Sequence, residues 1–185
     1  MADHSAKRQD IVDQAYRAFA DGGFHATGID AVMAGSGISK RTLYKYFPSK
    51  EDLIQAVLEK YAGEAGDGLM AAIRGRSDDP RAQIEAMFDV RRDAMLAGGF
   101  QGCMIQKAAQ EYKGKHDGIE TCVRSGQDVI EGEVAALCEQ AGLDDPKGKA
   151  QQINVLMQGA ILLAQMRRDL APFDAAKATL KAILA

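Results

Sequence analysis

A chain of 185 residues, 46% of them hydrophobic, is long enough for one ordinary domain or two small ones and apolar enough to bury a core, which excludes a disordered chain. The formal net charge of -3 is unevenly spread: the first 50 residues hold seven Lys and Arg against five Asp, and the remaining 135 hold sixteen against twenty-one Asp and Glu. That asymmetry assigns any polyanionic partner to the N-terminal part and makes the remainder a poor phosphate binder.

The first helix is expected over residues 7–21, burying Ile11, Ala15, Ala18 and Phe19 and ending at Gly22-Gly23. Thr27, with Asp30 three residues on, reads as the cap of a second helix in which Ile29, Val32 and Met33 share one apolar face. Gly35 and Gly37 break it, Ile38 plugs the turn, and Ser39 caps a third helix that Pro48 stops. At about 100° per residue, Leu43 and Phe47 fall on one side of the third helix and Arg41, Thr42 and Lys45 on the other. Tyr44 and Tyr46 flank that outer face. Between Ser39 and Lys50 stand four cations, Lys40, Arg41, Lys45 and Lys50, and no acid. A helix of this size fits the major groove of DNA with its first residues toward the base edges. Arg41 and Thr42 are therefore expected to read bases, Lys40, Tyr44, Tyr46 and Lys50 to hold phosphates, and Lys45 to do either, with Thr27 and Ser39 also expected at the DNA surface.

Ser49 opens a fourth helix, residues 50–65, with Leu53, Ala56, Val57 and Tyr61 inward and Gly63, Gly66 and Gly68 loosening its end. A loop at residues 75–80 precedes a fifth helix marked by Ile84, Met87, Phe88, Arg91 and Met95 and stopped by Gly98-Gly99. Further helices are expected over residues 102–112, 118–140, 146–170 and 172 to the end. With no strand-like alternation and no repeat, the fold class is all-α.

Phe19, Gly23, Phe24, Thr27, Ile29, Ala34, Gly37, Ser39, Leu43, Tyr44, Tyr46, Phe47, Lys50 and Leu53 together resemble the N-terminal signature of the TetR family of bacterial transcription regulators. The resemblance fixes residue types at many consecutive spacings over the first third of the chain. Gly28 departs from it, standing where the family usually has Ser or Thr, and Gly35-Ser36 replaces the commoner Ala pair. Residues 100–111 are similar to the Gly-Cys segment that opens the sixth helix in one subgroup of the same family. The resemblance implies a helix-turn-helix DNA-binding domain over residues 1–52 and an effector-binding and dimerisation domain over residues 53–185. It further implies a repressor that binds a palindromic operator in double-stranded DNA as a homodimer and is released by a small molecule.

The C-terminal sequence is compatible with such a division. Ile153, Leu156, Met157, Ala160, Leu163 and Ala164 give the eighth helix an apolar stripe, and Phe173, Ala176, Leu180, Ile183 and Leu184 do the same for the ninth. Leu156, Ala160, Leu163, Phe173, Leu180 and Leu184 are the expected dimer interface; an intramolecular core is the competing reading of the same residues. For an effector pocket the candidates are Met87, Phe88, Arg91, Cys103, Met104 and Met157, Arg91 because a cation on an apolar face calls for an acid or a ligand. Lys107 and Glu111, at i and i+4, are expected to pair on the surface.

Cys103, Cys122 and Cys138 form no CxxC pair and have no His at ligand spacing, so neither zinc, another metal, nor a disulfide framework is indicated, and no cofactor is expected. A thiol-dependent enzyme or sensor built on Cys103 at a helix N-terminus is the rival class. A helical adaptor binding protein alone leaves Ser39 to Lys50 unexplained. The N-terminus carries no apolar leader, and the longest nearly apolar run, residues 154–166, is interrupted by Gln158 and Gln165 and falls short of the about 20 residues of a membrane span, so a cytoplasmic protein is expected.

Overall fold

The computed structural model describes residues 2–185 and is all-α, with no strand among the described residues. In chain order the helices are α1 (Ala2–Gly22), α2 (Ile29–Met33), α3 (Lys40–Tyr46), α4 (Lys50–Lys60), α5 (Gly66–Arg74), α6 (Pro80–Ala97), α7 (Met104–Tyr112), α8 (Asp117–Gln140), α9 (Pro146–Arg167) and α10 (Ala171–Leu184). Their starts follow the sequence signals. Ser49 and Asp52 form a reciprocal capping box on α4, Asp79 accepts the amides of Arg81 and Ala82 ahead of Pro80 in the first turn of α6, and Asp145 caps α9 through the Gly148 amide.

The first helix begins at Ala2, ahead of the expected residue 7, and two other elements depart from the sequence expectation. The glycines at 63, 66 and 68 do not end the helical path: after α4 the backbone widens into a π-helical turn, Tyr61–Ala65, and continues as α5. Met70 and Ile73, three apart and both buried, give α5 an apolar face whose burial outweighs the about 1 kcal/mol that each glycine costs. Thr27 is not the cap of α2. Gly28 occupies that position without a side-chain hydrogen bond, while Thr27, 6% exposed, donates from Oγ1 to the Ala18 carbonyl of α1 at 3.3 Å.

Contacts divide the chain into two compact units. The first comprises the chain up to Ala62 together with Met104–Ser125; in it α1 packs on α2 and α4, and α2 on α3. Its core holds Ile11, Phe19, Phe24, Leu43, Phe47, Leu53, Ile54 and Leu58, each at most 2% exposed. The second comprises Gly63–Cys103 and Gly126–Ala185, where α10 packs on α9 and α6 and α5 packs on α6. Phe88, Ile153, Phe173 and Leu180 are fully buried there, and Lys177 donates to both carboxylate oxygens of Asp89 at 2.8 Å, tying α10 to α6.

Within the first unit, α7 grips the connection between α1 and α2. The Lys107 ammonium donates to the Ala20 carbonyl near the end of α1. One turn on, the Glu111 carboxylate accepts from the backbone amides of Phe24, at 3.1 Å, and His25, at 2.5 Å. The His25 ring stacks on Tyr112 with centroids 4.8 Å apart, and Tyr112 meets Phe24 edge-on at 6.2 Å.

Tyr112 is 3% exposed and its hydroxyl has no hydrogen-bond partner among the described residues. Burial first, then the charges of Glu51 and Glu111, push its pKa up to about 12. The unfolded phenol titrates near 10, so this contribution to stability is intact below about pH 10 and is lost as pH rises through about 12. Tyr112→Phe is expected to change stability by less than about 1 kcal/mol at neutral pH, because the deleted hydroxyl bonds to nothing. Urea unfolding followed by circular dichroism at about pH 8 and about pH 11 checks this, with the phenylalanine variant losing less stability than the unsubstituted protein at the higher pH.

Candidate nucleic-acid interface

The site is α3 and the turn that presents it. Gly35 and Gly37 adopt φ of +74° and +67°, the left-handed region that side chains disfavour, and this reverses the chain between α2 and α3 within a few residues. Ser36 locks the turn, donating from Oγ to the Met33 carbonyl at 2.8 Å and accepting the Ile38 amide at 3.1 Å. Ser39 then caps α3 by accepting the Thr42 amide at 3.1 Å, and its hydroxyl also lies 2.9 Å from that of Thr42. Leu43, fully buried, and Phe47, 2% exposed, fasten the helix from behind. The Arg8 guanidinium of α1 sits 4.9 Å above the Phe47 ring.

On the outer side Arg41, Tyr44 and Lys45 are exposed, Tyr44 by 46%, and neither Arg41 nor Lys45 has an ion-pair partner among the described residues. Cations at i and i+4 on one helix face, beside an exposed phenol, form a surface complementary to a phosphate-lined groove. The other expected contacts are placed differently. Lys40 is paired with Asp30 of α2 at 2.7 Å, Lys50 lies 3.5 Å from the His25 carbonyl, and Thr42 and Tyr46 are half-buried. Thr27, expected at the DNA surface, faces inward to α1 for the reason given above. A polar cleft of about 400 Å³ flanks the turn, lined by Lys7, Asp10, Asp13, Gln14 and Arg17 of α1 and by residues 36–38.

Two of the three thiols, Cys122 and Cys138, are held toward their protonated form. Cys138 is fully buried, and burial pushes its pKa up; Cys122, held up by burial and then by Glu59, has its sulfur 4.0 Å from that carboxylate. Such thiols stay protonated and poorly nucleophilic. Cys103 is 6% exposed. Two histidines have structural tasks, His25 stacked on Tyr112 and His116 accepting the Ile119 amide at Nδ1. No group of three or more potential metal ligands occurs among the described residues.

Of the pocket candidates, Met87 and Phe88 on α6 and Met157 on α9 are buried on helices that pack together, and Arg91 is half-buried. Cys103 belongs to the same unit and Met104 to the other. The expected dimer residues separate sharply. Ala160, Phe173, Leu180 and Leu184 lie inside the second unit's own core, Leu156 is half-buried and Leu163 is 41% exposed. The exposed apolar side chains of α9 are Val155, Leu162, Leu163 and Met166, with Val155 and Met166 more than 70% exposed. Sequence reasoning missed those three neighbours of Leu163, as it missed Arg8, Asp30 as the partner of Lys40, and the distant partners of Lys107 and Glu111. The stripe was discoverable, since residues 155, 159, 162, 163 and 166 recur at helical spacing.

Residues 11–57 match the family described as bacterial regulatory proteins, tetR family, and residues 80–179 match the C-terminal domain of LmrA/YxaF-like transcriptional regulators. The chain is 36% identical over 86 residues to the transcriptional activator FasR of Mycolicibacterium smegmatis, a similarity covering 45% of this chain and 39% of that protein. It is 29% identical over 185 residues to an uncharacterized helix-turn-helix transcriptional regulator of Mycobacterium tuberculosis, covering 96% and 93% of the two chains. The structure is similar to that of a TetR-family regulator from Agrobacterium tumefaciens, with a TM-score of 0.86, 22% identity and coverage of 98% and 100%. At that identity the likeness concerns the fold.

Arg41→Ala is expected to cost about 1–3 kcal/mol on a duplex selected by the unsubstituted protein and to flatten its preference over other sequences. Fluorescence anisotropy with selected and scrambled duplexes measures both quantities. An unchanged preference would move base reading away from Arg41.

Proposed function

This chain belongs to the TetR family of bacterial transcription regulators, and from that premise we propose that it is a repressor which binds a palindromic operator as a homodimer and is released by a small molecule. DNA binding through a helix-turn-helix is the activity of the family. The observation that carries the reading in this chain is α3 itself, a capped and core-anchored helix whose exposed side is Arg41, Tyr44 and Lys45. We assign residues 1–52 to DNA binding and residues 53–185 to effector binding and dimerisation. No described helix is long and apolar enough to cross a membrane, and we place the protein in the cytoplasm, where its DNA is.

Two-fold symmetry supports the operator assignment, because two copies of α3 related by an axis meet successive major grooves about 34 Å apart on a palindrome. We place the dimer surface on Val155, Leu162, Leu163 and Met166 of α9. These four side chains are exposed on one helix, and an apolar patch of this kind marks an interaction site. Phe173, Leu180 and Leu184 support that surface from within. For the effector we propose the apolar residues Met87, Phe88 and Met157 together with Arg91, and Cys103 as a further candidate in the same unit. The ligand acts by preferring one spacing of the two reading helices, and a coupling of about 1–3 kcal/mol suffices. By reciprocity, operator DNA weakens effector binding by the same factor.

Operator release is tested by anisotropy on a selected palindrome while compounds found by thermal-shift screening are titrated in. A compound that binds equally well with and without the palindrome is not the inducer. The interface has its own test. Leu163→Glu combined with Val155→Glu is expected to give a folded monomer by circular dichroism and sedimentation, with specific DNA binding lost. Leu180→Glu, by contrast, places a charge in the protomer core and is expected to unfold the second unit. A double variant that still sediments as a dimer would remove α9 from the interface.

A further inference from the structure

Resting on the DNA-binding reading above, we propose that Asp30 is a positioning residue that holds the Lys40 ammonium away from DNA phosphates and so restrains binding to DNA of any sequence. Asp30 is the sole carboxylate between Gly28 and Lys50, a stretch that carries four Lys and Arg. Its two oxygens lie 2.7 and 2.8 Å from Lys40 Nζ, bridging α2 to the first residue of α3. The side chains are 81% and 56% exposed, so the pair stands at the surface from which α3 projects its reading face and not within the core. Arg41 and Lys45, on the same short helix, have no such partner among the described residues.

A free lysine that meets a phosphate releases a condensed counterion, and each phosphate so neutralised steepens the fall of log K with log salt by about 0.9. Lys40 has two options when α3 meets DNA. It keeps Asp30 and contributes no phosphate contact, or it leaves Asp30 and exposes a bare carboxylate to the phosphate field. Both lower its net contribution. On DNA that offers only phosphates this loss has no compensation. On a matched site the base contacts of Arg41 and Lys45 are unaffected by where Lys40 points, so the restraint weighs more heavily on unmatched DNA and widens the ratio between the two.

The test compares Asp30→Asn, Asp30→Glu and the double variant Asp30→Asn with Lys40→Met against the unsubstituted protein. Each is titrated with a labelled random-sequence duplex, and with a duplex that the unsubstituted protein selected from a random pool, across a range of salt. Asp30→Asn is expected to bind the random duplex several-fold more tightly at low salt, with a salt slope steeper by about one per protomer, and to show a smaller ratio of selected to random affinity. Asp30→Glu, which keeps the pair, is expected to stay near the unsubstituted slope, and the double variant is expected to lose the added steepness. Equal random-duplex slopes for Asp30→Asn and the unsubstituted protein, or a steepening that survives in the double variant, would overturn the role of Asp30. Failure of the unsubstituted protein to bind either duplex at any salt would instead overturn the DNA-binding reading on which the role rests.

Discussion

A helix of seven residues does not form by itself in water: nucleation is unfavourable, and isolated helices shorter than about 12–15 residues are marginal even in favourable sequences. The existence of α3 therefore depends on what fastens it from outside. Leu43 and Phe47 supply burial on its inner side, Ser39 satisfies the Thr42 amide in its first turn, and the left-handed glycines of the preceding turn deliver the chain at the required angle. Two of its seven positions are committed to solvent-exposed cations without ion-pair partners among the described residues, and that becomes affordable only because the inner side is so firmly held. The first unit is built around this requirement.

Charge placement in that unit follows the polarity of the backbone. A lysine of α7 meets a carbonyl near the C-terminal end of α1, and a glutamate of the same helix meets two consecutive amides just beyond it. Lys107 thus satisfies a carbonyl of the kind that the C-terminal end of a helix leaves without a partner, and Glu111 satisfies two amides of the connection that follows it. Lys115 adds to this arrangement by donating to the Glu111 carbonyl at 2.8 Å, the same oxygen approached by His25 Nε2. The loop between α1 and α2 is in this way held by side chains almost ninety residues distant in sequence.

The parts of the molecule that were legible in the sequence are those whose causes are local. Ser39, Pro48, Gly35 and Gly37 act on their immediate neighbours, and helical spacing places Leu43 and Phe47 opposite Arg41 and Lys45, so α3 and its reading face could be drawn from residue order alone. Thr27 shows where that stops: a hydroxyl ahead of a helix reads as a cap, but a carbonyl nine residues upstream competes for it and draws it inward. Lys107 and Glu111 have the spacing of a surface ion pair, yet each has a backbone partner elsewhere in the unit. At the C-terminal end periodicity identified apolar faces on α9 and α10 but could not say what covers them. Phe173 and Leu180 pack within the chain, whereas Val155 and Met166 remain at the surface, and no feature of the spacing distinguishes the two outcomes.

The return of Met104–Ser125 to the first unit has a practical corollary for anyone who recombines such proteins. The reading head is not a detachable cassette. A hybrid joined at residue 52 would carry Phe24 and the amides of Phe24 and His25 into a foreign partner, where the residue at the place of Glu111 has no reason to be an acid and the one at the place of Tyr112 no reason to be aromatic. Transplanting the recognition specificity of this chain onto another sensor therefore calls for moving the end of α7 along with the N-terminal helices, as one discontinuous graft.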